Sequence, residues 1–306
     1  MRILVVGAGS IGGYFGARLL KAGRDVTFLV RPRRLAELRS TGLCVRSPLG
    51  DIDIAEPKLV TAEAISEPFD LIVLSCKAYD LAEAIDGFAA AVGPSTLVLP
   101  LLNGMAHMDA LQTRFGRDAV LGGLCLISTM LDAEGRIVHL GEAAALSFGE
   151  LGGGPSARVA AVLEQLDGPG FSVKASETIR QEMWEKWVFI ATAAGLTGMM
   201  RATIGDIVGS GSAEIATDLL AECAAIATSE GSAPRETAVA RAVAMFTAPG
   251  SGMTASLARD IERGGRIESE QILGDLLRRA TAPSPVLRVA YAHLKAYEAR
   301  RARETA

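Results

Sequence analysis

Little in this 306-residue chain suits metal or disulfide chemistry. It holds 4 cysteines, Cys44, Cys76, Cys125 and Cys223, and none has the close paired spacing of a zinc site. Disulfide frameworks belong to small, cysteine-dense secreted chains, so these read as reduced thiols in a cytoplasmic protein. Histidine is scarcer: His107, His139 and His293 are 3 dispersed positions. They supply neither a metal cluster nor a Ser-His-Asp triad, and no metal site is expected. No apolar run has the length and purity of a membrane span. Met1 leads straight into a strand-like run, without the features of a secretory leader. The net charge of −4 removes the electrostatic case for nucleic acid or an anionic membrane as partner. Hydrophobic residues make up 49% of the chain, enough for a large core, and the length suits two domains.

What is present begins at the second residue. Arg2-Ile3-Leu4-Val5-Val6 is followed by Gly7-Ala8-Gly9-Ser10-Ile11-Gly12 and then by a helical pattern. This is a dinucleotide fingerprint in its proper setting, between a strand and a helix. Gly7 serves the tight turn, Gly9 lets the backbone approach a pyrophosphate, and Gly12 lets the helix pack on the sheet. The helix N-terminus adds free N–H groups and the positive end of a dipole.

Strand and helix signals alternate through the first half. Strands are expected at Ile3–Val6, Val26–Val30, Leu71–Cys76, Thr96–Leu102 and Val120–Ile127. Helices are expected at Ile11–Ala22, Arg34–Ser40, Leu81–Val92 and Met108–Phe115. Such alternation argues an α/β, doubly wound parallel sheet. Asp132-Ala133-Glu134-Gly135 is a turn signal between two short runs, so a hairpin is expected before Glu150. A helix at Pro155–Gln165 and a last strand at Phe171–Val173 follow. Beyond Glu177 the strand signals fade into Ala- and Leu-rich stretches: Glu177–Met200, Ala213–Ser229, Arg235–Phe246, Met253–Arg263, Glu268–Ala280 and Ser284–Arg301. The first of these is apolar almost all round, as a buried connecting helix is. The expected organisation is a Rossmann-like dinucleotide-binding domain over 1–178 and an all-α domain over 179–306, with a frayed charged end from Glu298 to Ala306.

An acid about 20 residues past the fingerprint selects NAD, and a basic residue there accommodates a 2′-phosphate. This chain has Val30-Arg31-Pro32-Arg33-Arg34, so NADP(H) is expected, with Arg31 on the phosphate. A solvated basic loop is the plainer reading. Lys77 falls at a strand end that opens onto ligand in such sheets, although strand-end lysines are also commonly just solvated.

A nicotinamide carries hydride but no proton, so a ketone reductase needs a separate donor. No histidine is well placed. Lys186, in Met183-Trp184-Glu185-Lys186-Trp187-Val188, lies in an apolar helix at the expected domain junction. Partial desolvation lowers a lysine's pKa toward neutrality, while snorkelling out of an apolar face is the competing reading.

Several stations in order then carry a resemblance. They are Gly7–Gly12 with Arg31, Lys77-Ala78-Tyr79, Leu102-Asn103-Gly104, Trp184-Glu185-Lys186 with Leu196-Thr197, Ser256-Leu257-Ala258-Arg259-Asp260, and Gly265-Arg266 with Glu268, Ile272 and Gly274. With them the chain resembles the ketopantoate reductase (2-dehydropantoate 2-reductase) family over nearly its whole length. The resemblance implies NADPH-dependent reduction of a 2-oxo acid, by transfer of the pro-S hydrogen, within pantothenate biosynthesis. It implies Lys186 as proton donor, Asn103 at nicotinamide and substrate, Ser256 at the substrate carboxylate, Glu268 beside the cofactor and a backbone cofactor contact near Ser128. From the residues alone, Asn103-Gly104 is also an ordinary turn pair, Ser256 a helix cap and Glu268 a solvated acid.

The chain departs from the pattern where the family helix carries asparagines: Ile190, Ala194 and Ile204 stand there, and Leu102 replaces a glutamine. Lost amides alter recognition of a polar substrate, so a bulkier or less polar oxo acid is expected. Two alternatives stay open: a hydroxyacid or opine-type dehydrogenase, and a non-catalytic NADPH-binding module. A homodimer fits an apolar helical domain.

Overall fold

The structure is a computed structural model that describes residues 1–305. It divides into two compact units. One comprises Met1–Leu102 and His107–Arg180; the other comprises Asn103–Ala106 and the chain from Gln181 onward.

The first unit holds the doubly wound sheet. Strands β1 (Arg2–Val6), β2 (Asp25–Leu29), β5 (Leu59–Val60), β6 (Leu71–Leu74) and β7 (Leu97–Pro100) pair in parallel in the order β5-β2-β1-β6-β7. Every residue of β6 and β7 is buried, which is why both read as unbroken apolar runs rather than alternating ones. The strand order reverses at β1, with β2 on one side and β6 on the other. Ligands bind such sheets outside the carboxyl ends of the strands at that switch point. Here Gly7 follows β1 and Ser75-Cys76-Lys77 follows β6.

Helices α1 (Ser10–Lys21), α2 (Pro32–Thr41), α3 (Leu81–Phe88), α4 (Ala106–Phe115) and α5 (Ala157–Leu166) complete the unit with a second sheet. In that sheet β8 (Gly122–Leu131) and β9 (Ile137–Gly149) form the expected hairpin around Asp132–Gly135. β3 (Leu43–Arg46), β4 (Ile52–Ile54) and β10 (Ser172–Ala175) complete it. Helix α1 is buried on both sides: a Cβ on Gly16 would strike Phe28 of β2, and one on Gly13 would strike Ile137 of β9. Its Arg18 is buried and donates to Leu49 O, Gly50 O and Ser47 Oγ at 3.0 Å each, which pins the β3–β4 loop.

Two sequence expectations change here. Val120–Ile127 does not extend the parallel sheet. Val120 makes a single bridge to Val98, and the chain from Gly122 joins the second sheet. Strands β3, β4 and β5 were not foreseen, being two to four residues long.

The second unit is helical: α6 (Ile179–Met200, entered from the first unit), α7 (Ile204–Gly209), α8 (Ala213–Ser229), α9 (Glu236–Phe246), α10 (Ser256–Glu262), α11 (Asp275–Arg278) and α12 (Pro285–Thr305). Helix α7, missed in the sequence, carries a reciprocal capping box between Thr203 and Asp206. The Glu222 carboxylate accepts from Val286 N and Leu287 N, closing the start of α12. The stretch expected as helix over Glu268–Ala280 is helical from Ser269 to Arg278, and a π-helical turn, Glu270–Gly274, leads within it into the short α11. The expected fraying is also corrected, because α12 stays helical through Thr305; Ala306 lies outside the described residues. Tyr297 Oη donates to Gly265 O and Arg301 Nε to Gly264 O, both at 2.8 Å, which fastens that end. Among the described residues no helix is long and apolar enough to cross a membrane, and no group of His, Cys, Asp and Glu is arranged to hold a metal ion.

Candidate active site

In the first unit the glycine turn takes the shape its residues allow. Gly7 has φ +93°, in the region that glycine alone enters without strain, and its N–H donates to Leu29 O at 3.0 Å. Gly9 caps α1 with φ −84° and ψ −165°, and its carbonyl accepts from Gly13 N at 2.8 Å. No side chain caps this helix and no acid stands in its first turn. Its N–H groups and dipole are therefore not neutralised locally. Nothing lies within 4 Å of where a Cβ on Gly9 would be. At Gly12 the opposite holds: a Cβ would sit 2.1 Å from Ser75 Oγ and 2.3 Å from Gly7 O. Ser75 Oγ itself donates to Val6 O at 3.1 Å, so this hydroxyl backs the turn. Arg34 adds a second support, with Nε donating to Ala8 O at 3.3 Å. Ser10 and Ile11 are half-buried at the start of α1.

Arg31 caps α2 and is exposed, but it is engaged. Its Nε and Nη2 donate to the two oxygens of Glu83 at 3.0 and 2.6 Å, and Asp80 lies at 3.3 Å. Lys77, half-buried, opens the single turn Ala78–Asp80 that leads into α3. Ser128 stands where the β8–β9 register shifts between Ile127 and Thr129. That irregularity re-aims the strand locally.

In the second unit α6 carries Lys186. Trp184 and Trp187 flank it and are buried, with rings 4.9 Å apart and the Arg279 guanidinium over both. Lys186 is half-buried, and among the described residues no carboxylate lies within ion-pair distance of its ammonium. Glu185 turns to Arg235, accepting from Nε at 2.7 Å, Nη2 at 2.6 Å and the backbone N–H at 2.9 Å. Burial alone would raise the Glu185 pKa, but these bonds, with one from Gln181, hold it below the usual value.

Asn103 belongs to this unit and is half-buried. Its carbonyl accepts from Gln271 Nε2 at 2.9 Å. Glu268 is half-buried one turn before Ile272, whose N–H donates to the Glu268 carbonyl at 3.0 Å. Ser256 is exposed as the first residue of α10, and the cap is Ala255, so the reading of Ser256 as a cap fails. The Ala255 N–H donates to Thr197 Oγ1 at 3.1 Å, which fastens α10 to α6. Arg259 donates to Thr254 O at 2.8 Å, and burial holds its guanidinium pKa below the ordinary value.

The model of the ketopantoate reductase PanE/ApbA family matches residues 3–153, and the family's C-terminal model matches residues 178–298. The chain belongs to the ketopantoate reductase family. It is 34% identical over 303 residues to the uncharacterized oxidoreductase YkpB of Bacillus subtilis, covering 98% of this chain and 99% of that protein. It is 28% identical to a 2-dehydropantoate 2-reductase of Mesorhizobium japonicum, covering 94% of each. The crystal structure of 2-dehydropantoate 2-reductase from Methylococcus capsulatus superposes with a TM-score of 0.87, at 28% identity and 98% coverage of both chains.

As an oxidoreductase of the ketopantoate reductase family, the chain can be read at its departures. Ala194 and Ile204 are fully buried. Ile190, one turn beyond Lys186 on α6, stays half-buried. Four side chains that contact or flank the expected site residues were missed in the sequence: Ser75, Arg34, Glu83 and Gln271. Ser75 had a signal, as the lone hydroxyl at the end of an apolar run. Gln271 had none, because its bond spans 168 residues.

Proposed function

We propose that this chain reduces a 2-oxo acid to the 2-hydroxy acid with NADPH. The observation that carries the reading is the start of α1: an uncapped helix N-terminus, without acids, behind a Gly9 with open space before it. Those features fit the diphosphate of a dinucleotide, held by the turn Gly7, Ala8, Gly9, Ser10, Ile11 and Gly12. Arg31 and Lys77 would meet a 2′-phosphate and Ser128 would contribute a backbone contact. Bound NADPH would supply the hydride. Arg31 must exchange Glu83 and Asp80 for the phosphate, so the preference for NADPH over NADH is modest rather than absolute.

The remaining roles fall to the helical unit. Lys186 donates its proton to the ketone oxygen as negative charge develops there, and its half-exposed position lets water replace that proton. The Asn103 amide donates and accepts at once, which suits a group that orients both nicotinamide and substrate. Ser256 holds the carboxylate and Glu268 orders the site beside the cofactor. Ile190 in place of an amide favours an oxo acid with an apolar arm over ketopantoate, and this leaves open a hydroxyacid-dehydrogenase role outside pantothenate synthesis. Thiols outside any disulfide are consistent with work in the cytoplasm.

The test is oxidation of NADPH by the purified chain with ketopantoate and a panel of 2-oxo acids of graded polarity. Turnover is expected, greatest for acids with an apolar arm. Lys186→Ala is expected to lower kcat by about 10²–10⁴-fold with little change in NADPH affinity. NADPH binding without turnover on any oxo acid would overturn the reductase reading and leave a binding module.

A further inference from the structure

We propose that Gln271 is a positioning residue: it holds the Asn103 loop in register with the helix that carries Lys186. This rests on the reductase reading above. The loop leaves β7 and places Asn103–Ala106 with the helical unit. Gln271 is buried, and its Nε2 donates to the Asn103 carbonyl at 2.9 Å. The approach is close on both sides. Gly104 has φ +79°, and a Cβ there would lie 2.7 Å from the Gln271 carbonyl oxygen and 3.3 Å from its Nε2. Glycine is therefore required at 104 both for its backbone angle and for the room Gln271 takes.

The other end of the brace lies on the same π-helical turn. The Trp187 Nε1–H donates to Ile272 O at 2.9 Å, with both side chains buried. Gln271 and Ile272 are neighbours, and so are Trp187 and Lys186. Two hydrogen bonds and two peptide links thus join Asn103 to Lys186. The same turn begins two residues after Glu268, so all three proposed catalytic positions refer to one short segment. A π-helical turn widens the helix and re-aims the groups on it, and such turns are kept mainly where function needs them. Asn103 has to be placed to within a fraction of an ångström, because a misplacement of about 1 Å can cost about 10²-fold in rate.

The experiment is Gln271→Met, which keeps the length and volume and removes the donor. We expect kcat to fall by about 10- to 100-fold with KM for NADPH within about twofold of wild type. In an Asn103→Ala background Gln271→Met is expected to have almost no further effect on kcat, since Gln271 acts through Asn103. Hydrogen exchange is expected to speed up at the Gly104 and Met105 amides and stay unchanged in α8. Independent, multiplying effects of the two substitutions, or unchanged exchange in the loop, would overturn the proposal. If Gln271→Met does not fold, Gln271→Glu at neutral pH lacks the same donor and carries the same expectations. A wild type without oxo-acid turnover would sink the reductase reading alone, and the loop exchange would still decide whether Gln271 holds the loop.

Discussion

Two glycines of one turn, three residues apart, should answer to alanine in opposite ways. Gly9 is extended and open, with nothing within 4 Å of a Cβ placed there. Alanine adopts that backbone without strain, so Gly9→Ala should leave the ligand-free protein as stable as wild type, or raise stability by about 0.4–1 kcal/mol through the unfolded chain. Its methyl would occupy the space proposed for the diphosphate. Loss of one hydrogen bond to a charged group costs about 1.5–3 kcal/mol, a weakening of NADPH binding of roughly 10- to 150-fold. Gly12→Ala drives a methyl to 2.1 Å from Ser75 Oγ, 2.3 Å from Gly7 O and 3.0 Å from Val5 Cγ1. Overpacking costs about 1–3 kcal/mol, and displacing the Ser75 hydroxyl from Val6 O adds about 0.5–1.5. Better helix propensity returns about 1. The net loss of about 0.5–3.5 kcal/mol lowers Tm by roughly 1–14 °C. Thermal melts without ligand and fluorescence titrations with NADPH read the two quantities separately. If Gly9→Ala binds NADPH as wild type does, or destabilises as much as Gly12→Ala, the assignment of this turn to a diphosphate is wrong.

Other expectations follow from single contacts. Glu83→Gln frees Arg31 from an exposed ion pair worth about 0.2–1 kcal/mol, so NADPH should bind about 1.4- to 5-fold tighter with NADH unchanged. Arg31→Ala should erase the preference between them, and equal shifts for both cofactors in Glu83→Gln would argue against a 2′-phosphate at this place. The Glu185 carboxyl is held below its ordinary 4.5, so its pair with Arg235 stabilises fully above that pH and is lost as pH falls through the depressed value. Glu185→Gln should therefore lower Tm at pH 7, with the gap to wild type closing as pH falls below 4.5; a gap independent of pH would show that the charge is not what matters there.

Much of this protein was legible from local pattern. The apolar run Leu71–Leu74, the fingerprint Gly7–Gly12 and the long helix to Met200 are each specified by residues close in sequence. Burial on both faces removes the alternation from a strand, and a tight turn selects glycine whatever lies elsewhere. These signals placed the doubly wound sheet and the helical unit, and they nominated Lys186 and Arg31. The short strands Leu43–Arg46, Ile52–Ile54 and Leu59–Val60 were invisible because pairing with distant partners, not propensity, makes them strands.

Only the tertiary structure decided what surrounds each nominated group. Arg31 is engaged by Glu83 across 52 residues, and Asn103 is tied to Gln271 across 168. Glu185, beside Lys186 in sequence, turns instead to Arg235. The reason is that a fingerprint constrains the backbone over a few residues, while a side chain's charge state and aim depend on whatever the fold brings within about 3 Å. Sequence therefore determined where the candidate cofactor turn and the candidate proton donor lie along the chain, and long-range packing determined what holds each of them in place.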